Sequence, residues 1–150
     1  YMVAVMTQEL KLKPTDVVLE IGTGSGYQAA VLSRLVSSVY SIERHQRLAC
    51  RSYRTLRKLG YGNITVFCGD GSRGLPDKAP FDAILVTAGA PEIPESLSEQ
   101  LAENGRLIVP VGRKALQVCK RIRKEEGKLK IDDMTNCVFV PLIGRYGWEI

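Results

Sequence analysis

Val17-Val18-Leu19-Glu20-Ile21-Gly22-Thr23-Gly24-Ser25-Gly26-Tyr27-Gln28-Ala29-Ala30-Val31-Leu32 is the stretch that decides the fold. Residues 17–21 read as a buried strand, interrupted only by Glu20. Gly22, Gly24 and Gly26 then make a tight turn, where the absence of Cβ atoms permits a sharp bend and a close approach by a ligand. Residues 27–36 read as a helix whose first N–H groups are left unpaired at that turn. A glycine run alone is weak evidence, because a purely structural strand–helix turn has the same composition.

Outward from this unit the pattern repeats. Residues 39–42 and 64–68 are expected strands. Between them, residues 45–59 form an expected helix with Arg44, Arg47, Arg51, Arg54 and Lys58 on one side and Ala49, Tyr53 and Leu56 on the other, Leu59 falling toward the flank. Gly60 closes that helix. Residues 76–80 are a loop, 83–86 a fourth strand, 94–101 a short helix with Pro94 in its first turn, and 107–111 a fifth strand. Residues 116–122 and 134–140 are two further strands around a turn at 125–128, with no helix between them. The expected fold is α/β and Rossmann-like, with a mainly parallel sheet and an antiparallel C-terminal hairpin.

Composition bounds the class. At 150 residues and 45% hydrophobic, the chain makes one domain with a sizeable core, and a charged share of 25% excludes wholesale disorder. No apolar window is long enough for a membrane span. The chain opens on Tyr1 within an apolar run and carries no secretory signal, so it is expected to lack an N-terminal segment. The net charge of +5 is unevenly spread: residues 44–58 hold six basic residues and no acid, and residues 113–130 hold eight basic residues and two acids. Each cluster is readable as a solvated face or as an anion-attracting patch. Cys50, Cys68, Cys119 and Cys137 form no CxxC pair, and His45 is the one histidine, so a zinc site is not expected and free thiols in a reducing cytoplasm are. His45 itself reads as a surface or capping residue.

Two acids raise the glycine turn above its structural reading. Glu43 ends the second strand, the place where Rossmann-like folds hold ribose hydroxyls, and Asp70 ends the third, in Gly69-Asp70-Gly71. Each alone is an ordinary loop carboxylate; together with the turn they fall at the carboxyl ends of strands, where open α/β sheets bind ligands. The G-x-G-x-G spacing departs from the dinucleotide fingerprint, which wants glycine where Tyr27 stands. It resembles the motif of S-adenosylmethionine-dependent methyltransferases, in which Glu20 would lie near the amino group of the methionine tail. After the fourth strand, Val86-Thr87-Ala88-Gly89-Ala90-Pro91 replaces the Asn/Asp-Pro-Pro-aromatic run of amino methyltransferases. It carries no base. A carboxylate acceptor, ionised at neutral pH with a reference pKa of about 4, needs none.

The stretch 18–32, Val39-Tyr40-Ser41-Ile42-Glu43-Arg44, Gly69-Asp70-Gly71, Pro80-Phe81-Asp82-Ala83-Ile84, residues 86–94, Gly105-Arg106-Leu107-Ile108-Val109-Pro110-Val111-Gly112 and Val140-Pro141-Leu142-Ile143-Gly144 with Trp148 together resemble the protein-L-isoaspartate O-methyltransferase family in the same order over nearly the whole chain. The resemblance implies methyl transfer to the α-carboxylate of L-isoaspartyl residues in damaged proteins, as cytoplasmic repair. It implies cofactor contacts from Glu20, Gly22, Thr23, Gly24, Ser25, Gly26, Glu43, Arg44, Asp70 and Gly71, and substrate contacts from Thr87, Ala88, Gly89, Ala90, Ile143 and Gly147. The family's active-site serine stands in a Thr/Ser-Ile-Ser-Gln-Pro-type motif that precedes the residues matching Tyr1, so no catalytic residue is assigned within the chain. The alternatives are an RNA methyltransferase, which the charge suggests and the 87–91 turn argues against, and a silent cofactor-binding domain.

Overall fold

The computed structural model describes residues 1–150. Helix α1 (Met2–Glu9) leads into β1 (Val17–Ile21), α2 (Tyr27–Ser33), β2 (Ser38–Glu43), α3 (Gln46–Lys58), β3 (Ile64–Cys68), β4 (Phe81–Val86), α4 (Glu95–Glu99), β5 (Leu101–Arg113), β6 (Leu116–Glu125) and β7 (Lys128–Cys137). The strands form one sheet in the order β3-β2-β1-β4-β5-β6-β7. β1 to β5 are parallel, and β6 and β7 are antiparallel, so the expected mixed sheet with a terminal hairpin is the one observed. The hairpin turns at Glu126 and Gly127, both with positive φ, the geometry of a two-residue turn that suits twisted strands.

Alternation along the strands builds two cores, one on each face of the sheet. Val18, Val39, Ala83 and Leu85 face Met6, Ala29, Leu32 and Leu56 of the first three helices and Leu10 at the end of α1. On the other face Leu19, Ile21, Ile42, Ile84, Val86, Leu107 and Val109 pack with Leu97 and Leu142. Arg106 fastens α1 to the sheet: its guanidinium donates to Leu10 O (2.7 Å), Lys11 O (3.1 Å) and Asp82 O (3.0 Å) and pairs with Asp16 (2.7 Å).

Several boundaries differ from the sequence reading, each for a physical reason. Residues 2–9 are a helix that carries no side-chain cap at Tyr1 and no acid in its first turn, so the usual start signals are missing. α2 ends at Ser33, and residues 34–35 tighten into i→i−3 bonds (Arg34 N to Val31 O, Leu35 N to Leu32 O). α3 buries Ala49, Ser52 and Leu56, leaving Tyr53 and Leu59 exposed. The small Ser52 and Leu56 lie against Gly26, which rotates the buried face away from Tyr53. Pro94 caps α4 instead of entering it. β5 starts six residues early and slips register opposite residues 81–83, around Asn104 with φ 63. β7 starts at Lys128, where its alternation is hidden by charge: Asp132 and Asp133 pair across the strand with Arg121 (3.4 Å) and Lys120 (2.6 Å).

Candidate functional site

The carboxyl ends of β1, β2 and β4 open together because the chain order reverses there, β1 being flanked by β2 on one side and β4 on the other. Gly22 (φ +100) and Gly24 (φ +53) carry the turn out of β1 in backbone conformations that side chains rarely adopt. A Cβ on Gly22 would stand 2.8 Å from Thr87 Oγ1, so β1 and β4 close up only over a glycine. Thr87 bridges the gap: its hydroxyl donates to Ile21 O (3.1 Å) and Gly22 O (3.3 Å), and its N–H to Ile21 O (3.1 Å).

Glu43, at the end of β2, is 6% exposed. Its two carboxylate oxygens accept the N–H of Gly24 (2.9 Å) and the N–H of His45 (3.0 Å). One acid therefore fixes both the glycine turn and the start of α3, and it lines the cavity between them. His45 is the N-cap of α3 without a side-chain cap bond.

Glu20 lies elsewhere than the motif suggests. It alternates with Val18 toward the helix-covered face and is wholly buried. Its Oε1 accepts the Ser41 hydroxyl at 2.5 Å, and Ser41 meets Thr23 Oγ1 at 2.5 Å. Oε2 has no partner. Burial pushes the Glu20 carboxyl up to about 8; the Ser41 bond opposes the rise and the charge of Glu43 adds to it. The acid is thus protonated at neutral pH, a strut under the glycine turn and not part of the cavity wall.

Asp70 caps the short turn Gly71–Arg73, accepting the N–H (3.0 Å) and hydroxyl (2.6 Å) of Ser72, and its other oxygen accepts the N–H of Arg145 (2.9 Å). Partial burial works to raise its pKa, but the bonds from Arg145 and Ser72 and the charge of Arg73 outweigh it and hold the carboxyl below its ordinary range. Asp70 therefore ties the C-terminal segment over the site. Gly89 does the same from below: its N–H donates to Val140 O (2.8 Å), and its carbonyl accepts Leu142 N–H (2.8 Å) and Trp148 Nε1–H (3.0 Å).

Two cavities result. The first, of 530 Å³, is lined by Gly22, Gly24, Glu43, Arg44, Gly71, Thr87, Ala88 and Ile143 among the expected residues, a volume ordinary for a small-molecule site. It adds His45 and the apolar Ile21, Ile42, Leu48, Val140, Pro141 and Leu142. The second, of 1090 Å³, is an open groove between α1 and α2, where Thr23 and Ser25 face Thr7, Gln8, Lys11, Gln28 and Arg34. Gly24 and Thr87 line both. Glu20, Asp70, Gly89, Ala90 and Gly147 line neither, and Gly26 borders a third, smaller groove between α2 and α3. Val140, Pro141 and Leu142 belong to the family-like C-terminal segment, but of residues 140–144 only Ile143 was expected at the site, because this wall reaches it through contacts some fifty residues away in sequence, to Gly89. The α1 side of the groove went unread with the helix itself. The described residues hold no cluster of His, Cys, Asp and Glu that could bind a metal.

A glycine turn with an acid at the next strand end, opening on a mixed seven-stranded sheet with an antiparallel last pair, is the arrangement of the Rossmann-like fold of S-adenosylmethionine-dependent methyltransferases. Residues 1–147 match the model of the protein-L-isoaspartate(D-aspartate) O-methyltransferase family. A protein-L-isoaspartate O-methyltransferase of Roseiflexus sp. (strain RS-1) is 53% identical over 148 residues, covering 99% of this chain and 68% of the relative. A solved protein-L-isoaspartate O-methyltransferase superposes with a TM-score of 0.89 at 35% identity, over 97% of this chain and 48% of that one. A second, from Plasmodium falciparum in complex with S-adenosyl-L-homocysteine, gives 0.78 at 30% identity, over 95% and 73%. The chain belongs to the protein-L-isoaspartate O-methyltransferase family, and spans about two thirds of its curated relative's length and about half that of the first solved structure.

Proposed function

We propose that this chain transfers a methyl group from S-adenosylmethionine to the α-carboxylate of L-isoaspartyl residues in damaged proteins. The observation that carries the reading, beside family membership, is the junction of the two cavities at Gly24 and Thr87. A donor held in the first cavity meets an acceptor entering along the second at that point alone.

The donor supplies an electrophilic methyl group on a positively charged sulfur. The chain's own residues fit such a molecule. Gly22 and Gly24 let the backbone approach it. Glu43 offers its carboxylate to the ribose hydroxyls, and Ile42, Leu48 and Ile143 supply apolar walls beside Gly71 for the adenine. Asp70 acts by holding residues 144–146 closed over that end. Ala88 borders the transfer point, and Gly89, Ala90 and Gly147 shape the turn and the C-terminal segment behind it. The turn 86–91 contains no titratable side chain. That suits an acceptor that arrives ionised: its oxygen forms the new bond to carbon as the sulfur takes the electron pair, and no proton moves. The enzyme's work is alignment and exclusion of water.

In this reading residues 1–150 act as one methyltransferase domain, a protein and not a nucleic acid is the acceptor, and the reaction is cytoplasmic. Four free thiols agree with a reducing compartment. Mass spectrometry of an isoaspartyl peptide incubated with the protein and donor tests the product. A base-labile methyl ester on the isoaspartyl α-carboxylate supports the reading; a methyl on any other atom overturns it.

A further inference from the structure

The two basic clusters differ in what the fold does with them. In the hairpin, Lys120, Arg121, Arg123 and Lys130 are matched by Asp133, Asp132, Glu125 and Glu9. On α3, Arg47, Arg51, Arg54 and Lys58 are all exposed, and none forms an ion pair. Arg57 lies over Tyr53 instead. Arg113, Lys114, Lys124 and Lys128 of the hairpin region also lack an ion pair, but they are interleaved with the matched residues, whereas the unmatched charge of α3 forms one ridge in a stretch, 44–58, that holds no acid. Only Lys58, in the last turn, suits the helix dipole: the other like charges of the ridge stand three or four residues apart, and Arg47 sits in the first turn, against the positive end of the dipole. Arg44 and His45, which line the first cavity, mark its upper end. From there to Lys58 the helix rises about 20 Å, the reach of roughly six residues of extended chain. A notch of 480 Å³ opens along it, lined by Gln46, Arg47, Cys50, Arg51, Arg54 and Thr55.

We propose that the outer face of α3 is a docking surface for an acidic stretch of the polypeptide substrate, several residues away from the damaged residue; this rests on the reading above that the acceptor is a protein. Charge complementarity selects the partner. The ridge is a single row of arginine forks, which bind carboxylates with two parallel hydrogen bonds. It offers no run of exposed aromatic side chains on which bases could stack: Tyr53 is on the flank, engaged with Arg57.

The test uses two isoaspartyl peptides that differ only in a tail of glutamates or of serines, and a dye-labelled glutamate-tail peptide without isoaspartate. Three exposed ion pairs, each contributing about two- to threefold, lower KM for the acidic peptide roughly tenfold at low salt, and the advantage fades as salt shortens the screening length. Arg47→Glu with Arg51→Glu and Arg54→Glu removes that advantage, leaves kcat and KM for the serine-tail peptide within about twofold, and abolishes binding of the labelled peptide in fluorescence anisotropy. The corresponding glutamine variant is the milder form should charge reversal unfold the helix. Equal KM values for the two peptides overturn the proposal while leaving the acceptor reading intact. Methylation of neither peptide, with the labelled peptide still bound through these arginines, counts against the acceptor reading and supports the ridge. Tighter, competitive binding of polyuridylate overturns the proposal in favour of nucleic acid.

Discussion

Replacing Glu43 by glutamine separates the acid's part in the fold from its part in binding. The carboxylate is 6% exposed and accepts two backbone N–H groups, from Gly24 at 2.9 Å and His45 at 3.0 Å. The amide keeps one acceptor oxygen and turns an NH2 group toward the other N–H. Losing one such bond costs about 1–2 kcal/mol of stability, a fall in Tm of roughly 2–8 °C for a domain of this size. The ribose adds a separate loss. Hydrogen bonds to a charged acceptor contribute about 1.5–3 kcal/mol and neutral ones about half that, so over the two ribose hydroxyls removing the charge weakens cofactor binding by about 1.5–3 kcal/mol, a Kd raised roughly 10- to 150-fold. Calorimetric titration with S-adenosylhomocysteine and its 2′-deoxy analogue completes a double cycle. The unaltered protein discriminates against the deoxy compound several-fold more strongly than Glu43→Gln does. Equal discrimination by both proteins, or a Kd for the variant within about threefold of the unaltered protein's, would refute the assignment of Glu43 to the ribose.

Glu20→Gln should flatten the pH dependence of stability. With the folded carboxyl near 8 and its ordinary value 4.5, the folded state holds a proton that the unfolded state has released, so stability falls as pH rises from about 4.5 to about 8. Denaturant melts across that window should show the variant gaining on the unaltered protein toward pH 8; parallel curves would count against it. Arg106→Met leaves Asp16 buried without its partner and strands three carbonyl contacts, for an expected loss of about 3–5 kcal/mol in urea unfolding, with α1 losing hydrogen-exchange protection first. Cys119 is buried, with its thiol pushed up to about 12 by desolvation and by the neighbouring Cys137, while Cys50 and Cys68 are exposed. A thiol reagent at pH 8 should label Cys50 and Cys68 in the native protein and reach Cys119 and Cys137 only in denaturant. Fast native labelling of Cys119 would contradict the packing of the hairpin.

What was legible in the sequence was local. The strand–glycine–helix unit, Glu43 at the next strand end and the helix-free C-terminal pair are encoded within short windows, and the structure places them as read. Glu20 shows where such windows stop. Its place in the motif suggested the cavity, yet alternation from Val18 already puts it on the helix-covered face. Helix α1 escaped because its end signals are absent and its buried side, Met6 and Leu10, becomes visible only against β1. The tie that holds the C-terminal segment was beyond reach, since Asp70 meets Arg145 across 75 positions. The difference between a hairpin in which half the basic residues are paired and an α3 in which none is was equally so, because ion pairs such as Arg121 with Glu9 join distant segments.

The central claim is that the methyl group goes to the carboxylate of an isoaspartyl residue. Steady-state transfer of labelled methyl to two peptides of one sequence, containing L-isoaspartate or L-aspartate at a single position, tests it most directly. The account expects saturable incorporation into the isoaspartyl peptide and background incorporation into its twin. Equal incorporation into both, or none into either while the donor remains bound, would contradict it.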